Sequence, residues 1–286
     1  MKISVTSYSY SQYMKDGRLD IFGVIDKTAE LGFDGIEFSY GDWTNNFDLE
    51  LAKKIKERCA ERGIEIVACC SGADFLMSGN EAAVAELKRV IDYTATLGAP
   101  YLRHDITRGF VSSDRKYSIG YDDAIEIVTP AIREVADYAA SKGIVTMTEN
   151  HGFFSQDALR VEKLINTVAH PNFGALVDLG NFMCADEDPV KSVSILAPYA
   201  LHVHAKDFYF KSGCDVDPGE GWFKTRALNY LKGAVIGHGV CGIYQSIQIL
   251  KKAGYNGYVT VEFEGKEDCI DGIRIGKDNL KRFIGA

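Results

Sequence analysis

The chain has 286 residues, of which 46% are hydrophobic and 25% charged, and its formal net charge is −8. This composition is ordinary for a globular protein with a large core, and about 250 residues are enough for one closed α/β barrel. The acidic balance, without a long run of Lys or Arg, argues against nucleic acid as a partner. The first residues lack the apolar core of a signal peptide, and no apolar run reaches the roughly 18 residues of a membrane span. We therefore expect a cytoplasmic protein that has no membrane partner.

One local pattern recurs along the chain: an amphipathic run, a glycine, and a short β-branched or aromatic run that ends in polar residues. Examples are AELGFDGIEFSY (29–40), AERGIEIVACC (60–70) and ASKGIVTMTEN (140–150). The glycine suits the left-handed position after a helix, and the run that follows has the composition of a strand. Each copy of the pattern therefore predicts a joint between a helix and a strand.

In chain order, the pattern predicts eight strands, at residues 2–8, 35–40, 64–70, 101–106, 144–150, 174–180, 200–208 and 257–264. Helical patterns lie between nearly all of them, for example at 48–63 and 121–143, and Pro130 in the second predicts a kink or a helix start nearby. Strands that alternate with helices, without GxGxxG after the first strand, predict an α/β fold: a single (β/α)8 TIM barrel over residues 1–286. The stretch at about 209–242 is predicted to be a long loop between the last two strands.

Polar side chains lie where the later strands end. Side chains of a barrel strand alternate between the interior and the helix layer, and chemistry sits at the carboxyl ends of the strands. By this alternation, strands five to eight direct Glu149, Asp178, His204 and Glu262 into one volume. Strands two and four offer Glu37 and His104 at similar heights.

Three carboxylates in a partly desolvated space repel one another by several kcal/mol unless protons or a cation intervene. A divalent metal ion is the simplest solution, and oxygen-rich ligation with one imidazole suits Mn²⁺, Mg²⁺ or Co²⁺. Four protein ligands leave room for two substrate oxygens in a six-coordinate shell.

Four short motifs at these strand ends carry a resemblance: TEN (148–150), VDLGN (177–181), HVHAKD (202–207) and YNGYVTVEFEG (255–265). In this order they resemble the xylose isomerase-like barrel superfamily of sugar and sugar-phosphate isomerases and epimerases. The likeness runs from the first strand to the last, and DGIEF (34–38) is similar to the second strand of that family.

The resemblance implies that Glu149, Asp178, His204 and Glu262 bind one divalent ion (Mn, Co, Mg or Zn). It also implies that Glu149 and Glu262 are the acid/base pair of an isomerase or epimerase that acts through an enediolate. The chain departs from the ketose epimerases at Asn181 and Phe210, where that branch tends to place a histidine and an arginine that contact substrate. The exact reaction therefore does not carry over.

Further residues are candidates to contact a small sugar or sugar phosphate. They are Glu37, His104, His151, Asn181 and Lys206. Lys206 has two interpretations, neutralisation of a substrate oxyanion or phosphate and an ion pair with Asp207. Several aromatic residues are weaker candidates to pack on a sugar ring: Tyr8, Trp43, Trp222 and Phe223.

Other functions compete with a sugar isomerase. The same metal and base would serve a dehydratase of the inosose dehydratase type, and a barrel that binds sugar without turnover is a further alternative. A multi-zinc phosphodiesterase is disfavoured because the chain has only 6 His, and a retaining glycosidase would need two carboxylates and no metal. Members of the resembling family are often dimers or tetramers, so a homo-oligomer is compatible with the sequence.

Overall fold

The computed structural model describes residues 1–40, 48–110 and 120–285. Its strands, in chain order, are β1 (Lys2–Thr6), β2 (Gly35–Ser39), β3 (Glu65–Ser71), β4 (Tyr101–His104), β5 (Val145–Glu149), β6 (Phe173–Asp178), β7 (Ala200–Ala205), β8 (Asp207–Lys211), β9 (Phe223–Lys224), β10 (Tyr230–Ala234) and β11 (Tyr258–Val261). Its α-helices are α1 (Ser11–Lys15), α2 (Ile21–Glu30), α3 (Leu49–Arg62), α4 (Asn80–Leu97), α5 (Tyr121–Ser141), α6 (Ala158–Val168), α7 (Pro189–Leu196), α8 (Ile243–Lys252) and α9 (Cys269–Gly285). Short 3-10 helices occupy Ser7–Tyr10, Asn181–Ala185 and Ala197–Tyr199.

Eight parallel strands, β1 to β7 and β11, close into a barrel, with β11 between β7 and β1. They coincide with the eight predicted strands, and helices pack around them, so the predicted TIM barrel is confirmed. The barrel takes strands from both ends of the chain, which supports the interpretation as one domain. None of the described helices is long and apolar enough to cross a bilayer.

The helix-to-strand joints form as the glycine pattern indicates. Helix α3 begins after Asp48, whose side chain accepts hydrogen bonds from two backbone N–H groups, and ends at Gly63, where φ is 67°. Gly98 ends α4 in the same left-handed region, with φ of 87°. A glycine adopts this conformation without the steric cost of a Cβ, so the chain turns directly into the next strand. Helix α5 runs through Pro130 and does not begin there.

The segment at 209–242, predicted to be a long loop, carries a small antiparallel sheet in which β10 pairs with both β8 and β9. Strand β8 begins two residues after β7, so this sheet is a direct extension of the barrel wall over its carboxyl end. The strands are short and mix glycine and lysine with aromatics, which hides their alternation in the sequence. We call β8, β9 and β10 the extension sheet.

The main apolar core lies between the barrel and its helices. Inside the barrel, the apolar filling of the described residues is thin: buried Ala68, Cys70, Met147 and Leu176, with partly buried Tyr101 and Leu201 packed against them. A polar layer also lies in the interior: Ser4 Oγ is 2.7 Å from Thr260 Oγ1, which is 2.7 Å from His202 Nε2. Chemistry-bearing side chains therefore extend below the rim of the barrel.

Candidate metal and substrate site

The four predicted metal ligands meet at the carboxyl end of the barrel. Glu149 and Asp178 are the last residues of β5 and β6, His204 lies in β7, and Glu262 follows β11. One ligand atom from each lies within 4.8 Å of the other three. The strands place them together because parallel barrel strands end at the same face. We call these four residues the carboxylate–histidine cluster.

Glu149 is held by two side chains from neighbouring strand ends. Its Oε1 accepts a hydrogen bond of 2.8 Å from Asn181 Nδ2, and its Oε2 lies 2.5 Å from Arg103 Nη2. The same Arg103 nitrogen lies 2.9 Å from Asp105 Oδ1. Because Arg103 is buried, its charge acts strongly on both carboxylates.

Sequence reasoning did not find Arg103, because the alternation in strand four is offset by one residue from the expected one. Tyr101 and Arg103 face the barrel interior, and Arg103 lines the cavity at the cluster. The available signal is a lone arginine in a strand composition, one residue before His104.

His104 lies away from the cluster, between the rings of Phe75 and Phe173 at centroid distances of 6.0 and 5.9 Å. Its Nδ1 is 3.0 Å from the carbonyl oxygen of Asp105. Burial lowers the pKa of His104 to about 4, because the imidazolium would lose its hydration there. His104, which was predicted to contact substrate, therefore packs between aromatic rings in the structure.

His204 is hydrogen-bonded at both ring nitrogens. Nε2 lies 2.9 Å from Glu37 Oε2, and Nδ1 lies 2.9 Å from Glu262 Oε2. Glu37 Oε2 is also 3.2 Å from His202 Nε2, so Glu37 lies behind the cluster and bridges two histidines. Because carboxylate oxygens only accept, both contacts use N–H donors, and although burial lowers the pKa of His204, Glu37 and Glu262 outweigh it and raise the pKa well above its ordinary value. With a divalent ion in the cluster, Nδ1 would give up its proton and become a ligand, while the Nε2 proton would stay directed at Glu37. This is the carboxylate–histidine arrangement typical of metal-binding histidines.

Asp178 has one satisfied oxygen and one unsatisfied oxygen. Oδ1 accepts hydrogen bonds from the backbone N–H groups of Gly180 and Asn181, at 2.7 and 2.8 Å. Oδ2 is buried and has no hydrogen-bond partner among the described residues. Burial, with the charges of Glu262 and Glu149, raises the pKa of Asp178 to about 7 despite nearby Lys206. A buried carboxylate oxygen that accepts no hydrogen bond from the described residues and is aimed at an imidazole and two more carboxylates fits a divalent cation.

Asn150 fixes the backbone that carries Asp178. Its Nδ2 donates to the Asp178 carbonyl at 3.0 Å, and its Oδ1 accepts from the Asp178 N–H at 2.9 Å. The side chain is buried. It therefore ties the end of β5 to the end of β6, which explains an amide immediately after Glu149.

Lys206 lies beside the cluster and not beside Asp207. Its Nζ is 3.1 Å from Glu262 Oε2, 3.3 Å from Glu264 Oε1 and 3.5 Å from Asp178 Oδ2. It also donates to Asn181 Oδ1 at 3.2 Å. Two of its carboxylate neighbours belong to the cluster, so Lys206 reduces the repulsion between them.

Asp207 instead organises the loop after β10. Its carboxylate accepts hydrogen bonds from the backbone N–H groups of Gly237, Gly239 and Cys241 at 2.9 to 3.1 Å. The interpretation that Lys206 pairs with Asp207 therefore does not match the structure.

His151 stands at the rim, with its Nδ1 3.0 Å from Asp105 Oδ1. Burial lowers the pKa of His151, but the hydrogen bond to Asp105 and nearby carboxylates outweigh it, and the pKa is raised above its ordinary value. His151 lines the cavity over the cluster, as do Glu37 and Lys206. Asn181 lines the adjoining cavity.

Two adjoining cavities open at this end of the barrel. The first, about 220 Å³, contains the cluster residues Glu149, His204 and Glu262 in its wall. The second, about 330 Å³, lies toward the extension sheet. A larger hollow of about 550 Å³ beside α1 and α2 contains none of the cluster residues, so we place the chemistry in the first two.

The aromatic residues predicted to pack on a sugar ring differ in their positions relative to the two cavities. Tyr8 lines the cavity at the cluster and Phe223 lines the adjoining one. Trp222 instead lies against the ammonium groups of Lys211 and Lys232, at 6.0 and 5.9 Å. Trp43 falls outside the described residues.

The fold and the cluster define a closed (β/α)8 barrel with a candidate divalent-metal site at the carboxyl ends of its strands. The chain belongs to the xylose isomerase-like TIM barrel family, whose model matches residues 25–283. No curated protein matches the chain in sequence.

Solved structures share the fold at low identity. The probable 3-DHS dehydratase AsbF of Bacillus anthracis, involved in petrobactin synthesis, is 18% identical, with 98% of this chain and 99% of that one covered and a TM-score of 0.75. D-Psicose 3-epimerase of Clostridium cellulolyticum H10, solved with D-tagatose, is 16% identical, with 99% of each chain covered and a TM-score of 0.75. A xylose isomerase-like TIM barrel protein of Mycobacterium smegmatis, solved with magnesium, is 18% identical, with 99% and 97% covered and a TM-score of 0.71.

Proposed function

We propose that this protein is a divalent-metal-dependent isomerase or epimerase of a ketose, a keto-inositol or a related sugar or sugar phosphate. The observation that supports this most strongly is the carboxylate–histidine cluster, with the buried Asp178 Oδ2, which has no hydrogen-bond partner among the described residues, aimed into it. Family membership and the epimerase among the structural neighbours agree with the proposal.

Glu149, Asp178, His204 and Glu262 would hold the ion. Mn²⁺, Co²⁺, Mg²⁺ and Zn²⁺ are the candidates, and the predominance of oxygen ligands favours the first three. When bound, the ion would supply a Lewis acid for the substrate carbonyl.

Glu149 and Glu262 are the proposed acid/base pair. They come from β5 and from the end of β11, on different sides of the cluster, and different groups hold them. Arg103 and Asn181 hold Glu149, and His204 and Lys206 contact Glu262. Removal of the proton next to the carbonyl by one carboxylate gives an enediolate, and return of a proton on the other face gives the epimer.

Three of the predicted substrate contacts remain part of the proposal. His151 and Lys206 line both cavities, and Asn181 lines the second one. Glu37 also borders the cavity at the cluster, but its hydrogen bonds to His202 and His204 favour a positioning role.

A dehydratase is the second candidate, and the His151–Asp105 pair favours it. Elimination of water needs a base for the α proton and an acid for the leaving hydroxyl. His151, hydrogen-bonded to Asp105 and placed at the rim, is a proton-transfer group additional to the two glutamates. The dehydratase among the structural neighbours is compatible with this alternative.

Metal content is the first experiment. The protein, purified without chelators, is compared with Glu149→Gln and with Glu264→Gln, a matched change beside Lys206 but outside the cluster. We expect about one ion per chain in the parent and in Glu264→Gln, and a strong reduction in Glu149→Gln. No metal in the parent after reconstitution, or equal content in both variants, would refute the proposed site.

Reaction type is then read from ketoses incubated with the metal-loaded protein in D₂O. An epimerase or isomerase incorporates solvent deuterium into a product with the same carbon and oxygen count, and a dehydratase gives a product smaller by one water. Sugar binding without exchange or loss of water would indicate a non-catalytic barrel.

A further inference from the structure

The two adjoining cavities differ in chemistry. They share three lining residues, His151, Lys206 and Glu264, so a single ligand can extend from one into the other. The cavity at the cluster is rich in carboxylates. The second cavity, about 330 Å³, is bordered by aromatic rings and by Arg108.

Two aromatic side chains in the second cavity are unusually accessible. Phe153, in the loop between β5 and α6, is 44% exposed, and Phe223 of β9 is 38% exposed. Phe223 packs edge-on against buried Phe208, with 5.6 Å between the ring centroids. Exposed aromatic faces that border a pocket offer a flat apolar surface to a ring or a carbon chain.

The backbone that carries Phe153 and Phe223 is held in place, although the two side chains are exposed. Phe153 has a φ of 64°, a left-handed conformation that is uncommon for a bulky residue. Its N–H donates to Gln156 Oε1 at 2.6 Å, and its carbonyl accepts from Arg226 Nη1 at 3.2 Å. Arg226 follows β9, so the same residue fixes the loop and the extension sheet. Backbone in such a conformation is often retained where it shapes a functional site.

Cationic side chains outnumber carboxylates among the described residues that line the second cavity. Lys206 and Glu264 face each other at 3.3 Å, and Glu264 is the carboxylate that lines this cavity among the described residues. The side chain of Arg108 forms no ion pair with another described residue, and its backbone N–H is anchored to Asp74 Oδ2 at 3.0 Å. A guanidinium presents a planar fork that binds phosphate or carboxylate oxygens in pairs.

We propose that the second cavity is a subsite for the end of the substrate remote from its carbonyl, and that this end carries a phosphate or carboxylate group. Phe153 and Phe223 pack on the carbon skeleton, and Arg108 binds the anionic group. The inference rests on the proposed function, because the cluster defines which end of the substrate carries the carbonyl.

Calorimetry with three ketoses of one skeleton tests the subsite: D-fructose, D-fructose 6-phosphate and D-fructuronate, each titrated into Mn²⁺-loaded protein. The two anionic ligands separate a phosphate from a carboxylate preference. We expect at least one of them to bind about tenfold more tightly than D-fructose, as a charge-assisted hydrogen-bond pair predicts.

Arg108→Gln should reduce this preference about tenfold, and Arg274→Gln, a matched change at an exposed position of α9, should preserve it. Phe223→Ala should weaken the binding of all three ligands, and the preference for the anionic ligands should stay. Phe210→Ala, at a similarly exposed residue outside the cavity lining, should leave the binding of all three unchanged. Equal affinity for neutral and anionic sugars, a preference that survives Arg108→Gln, or no binding of any of the three at millimolar concentrations would overturn the inference.

If the proposed function is wrong, the results differ from those expected if only the subsite is wrong. The protein would then lack metal and catalyse no solvent-hydrogen exchange, while the anion preference would still appear by calorimetry in the metal-free protein. Metal retention and exchange without anion preference would refute the subsite alone.

Discussion

At the scale of single residues, Glu37 controls how His204 faces the cluster. The Glu37 carboxylate lies 2.9 Å from His204 Nε2 and is fully buried. Burial alone would raise the pKa of Glu37, but His204 and His202 outweigh it and lower the pKa well below the ordinary value. An ionised Glu37 keeps the Nε2 proton of His204 in place and leaves Nδ1 available as a ligand.

Glu37→Gln should therefore weaken Mn²⁺ binding by about 10- to 100-fold, the usual effect of removing a hydrogen-bond partner behind a metal ligand. The amide keeps the shape of the carboxylate but not its charge. The dissociation constant is measured from free Mn²⁺ by electron paramagnetic resonance. Glu65→Gln, at an exposed glutamate paired with Lys2, is the control and should bind Mn²⁺ like the parent. Unchanged affinity in Glu37→Gln would show that Glu37 does not position the histidine.

Individual residues also show how much of the candidate site could be predicted from the sequence. Alternation placed Glu149, Asp178 and His204 correctly, because each ends or nearly ends a strand with a clear pattern. It failed in β4, which has only four residues and too few positions to fix its phase, and there Arg103, not His104, lines the cavity at the cluster. The positioning role of Glu37 depends on a contact with β7, and a single strand carries no information about that contact.

At the scale of elements, the extension sheet is joined to the barrel at a close backbone approach. Gly233 of β10 forms an isolated bridge with Gly265, and a Cβ at position 233 would lie 2.2 Å from the Glu264 carbonyl oxygen. The neighbouring atoms belong to the backbone, which cannot rotate away. Glycine is therefore required where β10 crosses the end of the last barrel strand.

Gly233→Ala should lower the free energy of unfolding by about 1–3 kcal/mol, as expected when a methyl group is forced into a packed region. Urea unfolding followed by circular dichroism measures the change. Gly72→Ala, at a position with no heavy atom within 4 Å of the added Cβ, is the control and should change stability little. Equal effects of the two substitutions would mean that the backbone contact is not tight in solution.

A second attachment of the extension sheet is the ion pair between Arg226 and Asp157. The guanidinium contacts both carboxylate oxygens, at 2.5 and 2.8 Å. Burial raises the pKa of Asp157, but Arg226 and Arg160 outweigh it and lower the pKa below its ordinary value. A carboxylate with a lowered folded-state pKa stabilises the fold above its unfolded pKa of about 4, and this stabilisation is lost as the pH falls through the lowered pKa.

Asp157→Asn should thus lower the free energy of unfolding by about 1 kcal/mol at pH 7, a modest value because Arg226 is partly exposed and screened. The difference from the parent should shrink as the pH falls below 4 and the Asp157 carboxylate of the parent takes up a proton. Urea titrations at several pH values between 7 and 3 measure it. Asp122→Asn, which removes an exposed partner of Lys163, is the matched control and should have an effect below about 0.5 kcal/mol. A deficit that stays constant with pH would show that charge is not its cause.

The extension sheet is the element that sequence reasoning missed. Its three strands have five, two and five residues, and β8 follows β7 almost without a break. Periodicity needs a longer window than this. The pairing of β8 with β10 joins residues 19 to 27 positions apart, across a segment without a tight hairpin signal.

At the scale of the whole molecule, the barrel was predictable because one local pattern repeats. Five helix-to-strand joints contain a glycine in the left-handed region, namely Gly32, Gly63, Gly98, Gly143 and Gly254, and the eight strands then close into a barrel. The same closure brings acidic side chains from β2, β5, β6 and β11 into one interior. Four of them are Glu37, Glu149, Asp178 and Glu262, and among the described residues the buried Arg103 and Lys206 place positive charge beside them.

Metal binding should therefore stabilise the entire fold, because the ligands come from strands that lie far apart in the sequence. An ion that binds only the folded chain adds about 2.7 kcal/mol to the free energy of unfolding at one hundred times its dissociation constant. For a chain of this length, such a gain should raise the melting temperature by about 4–5 °C. Thermal unfolding with and without Mn²⁺ measures the shift, and Glu264→Gln should retain it. In Glu149→Gln the shift should be largely lost. A shift of parental size in that variant would mean that Mn²⁺ stabilises the protein at another place, and the carboxylate–histidine cluster would lose its assignment as the metal site.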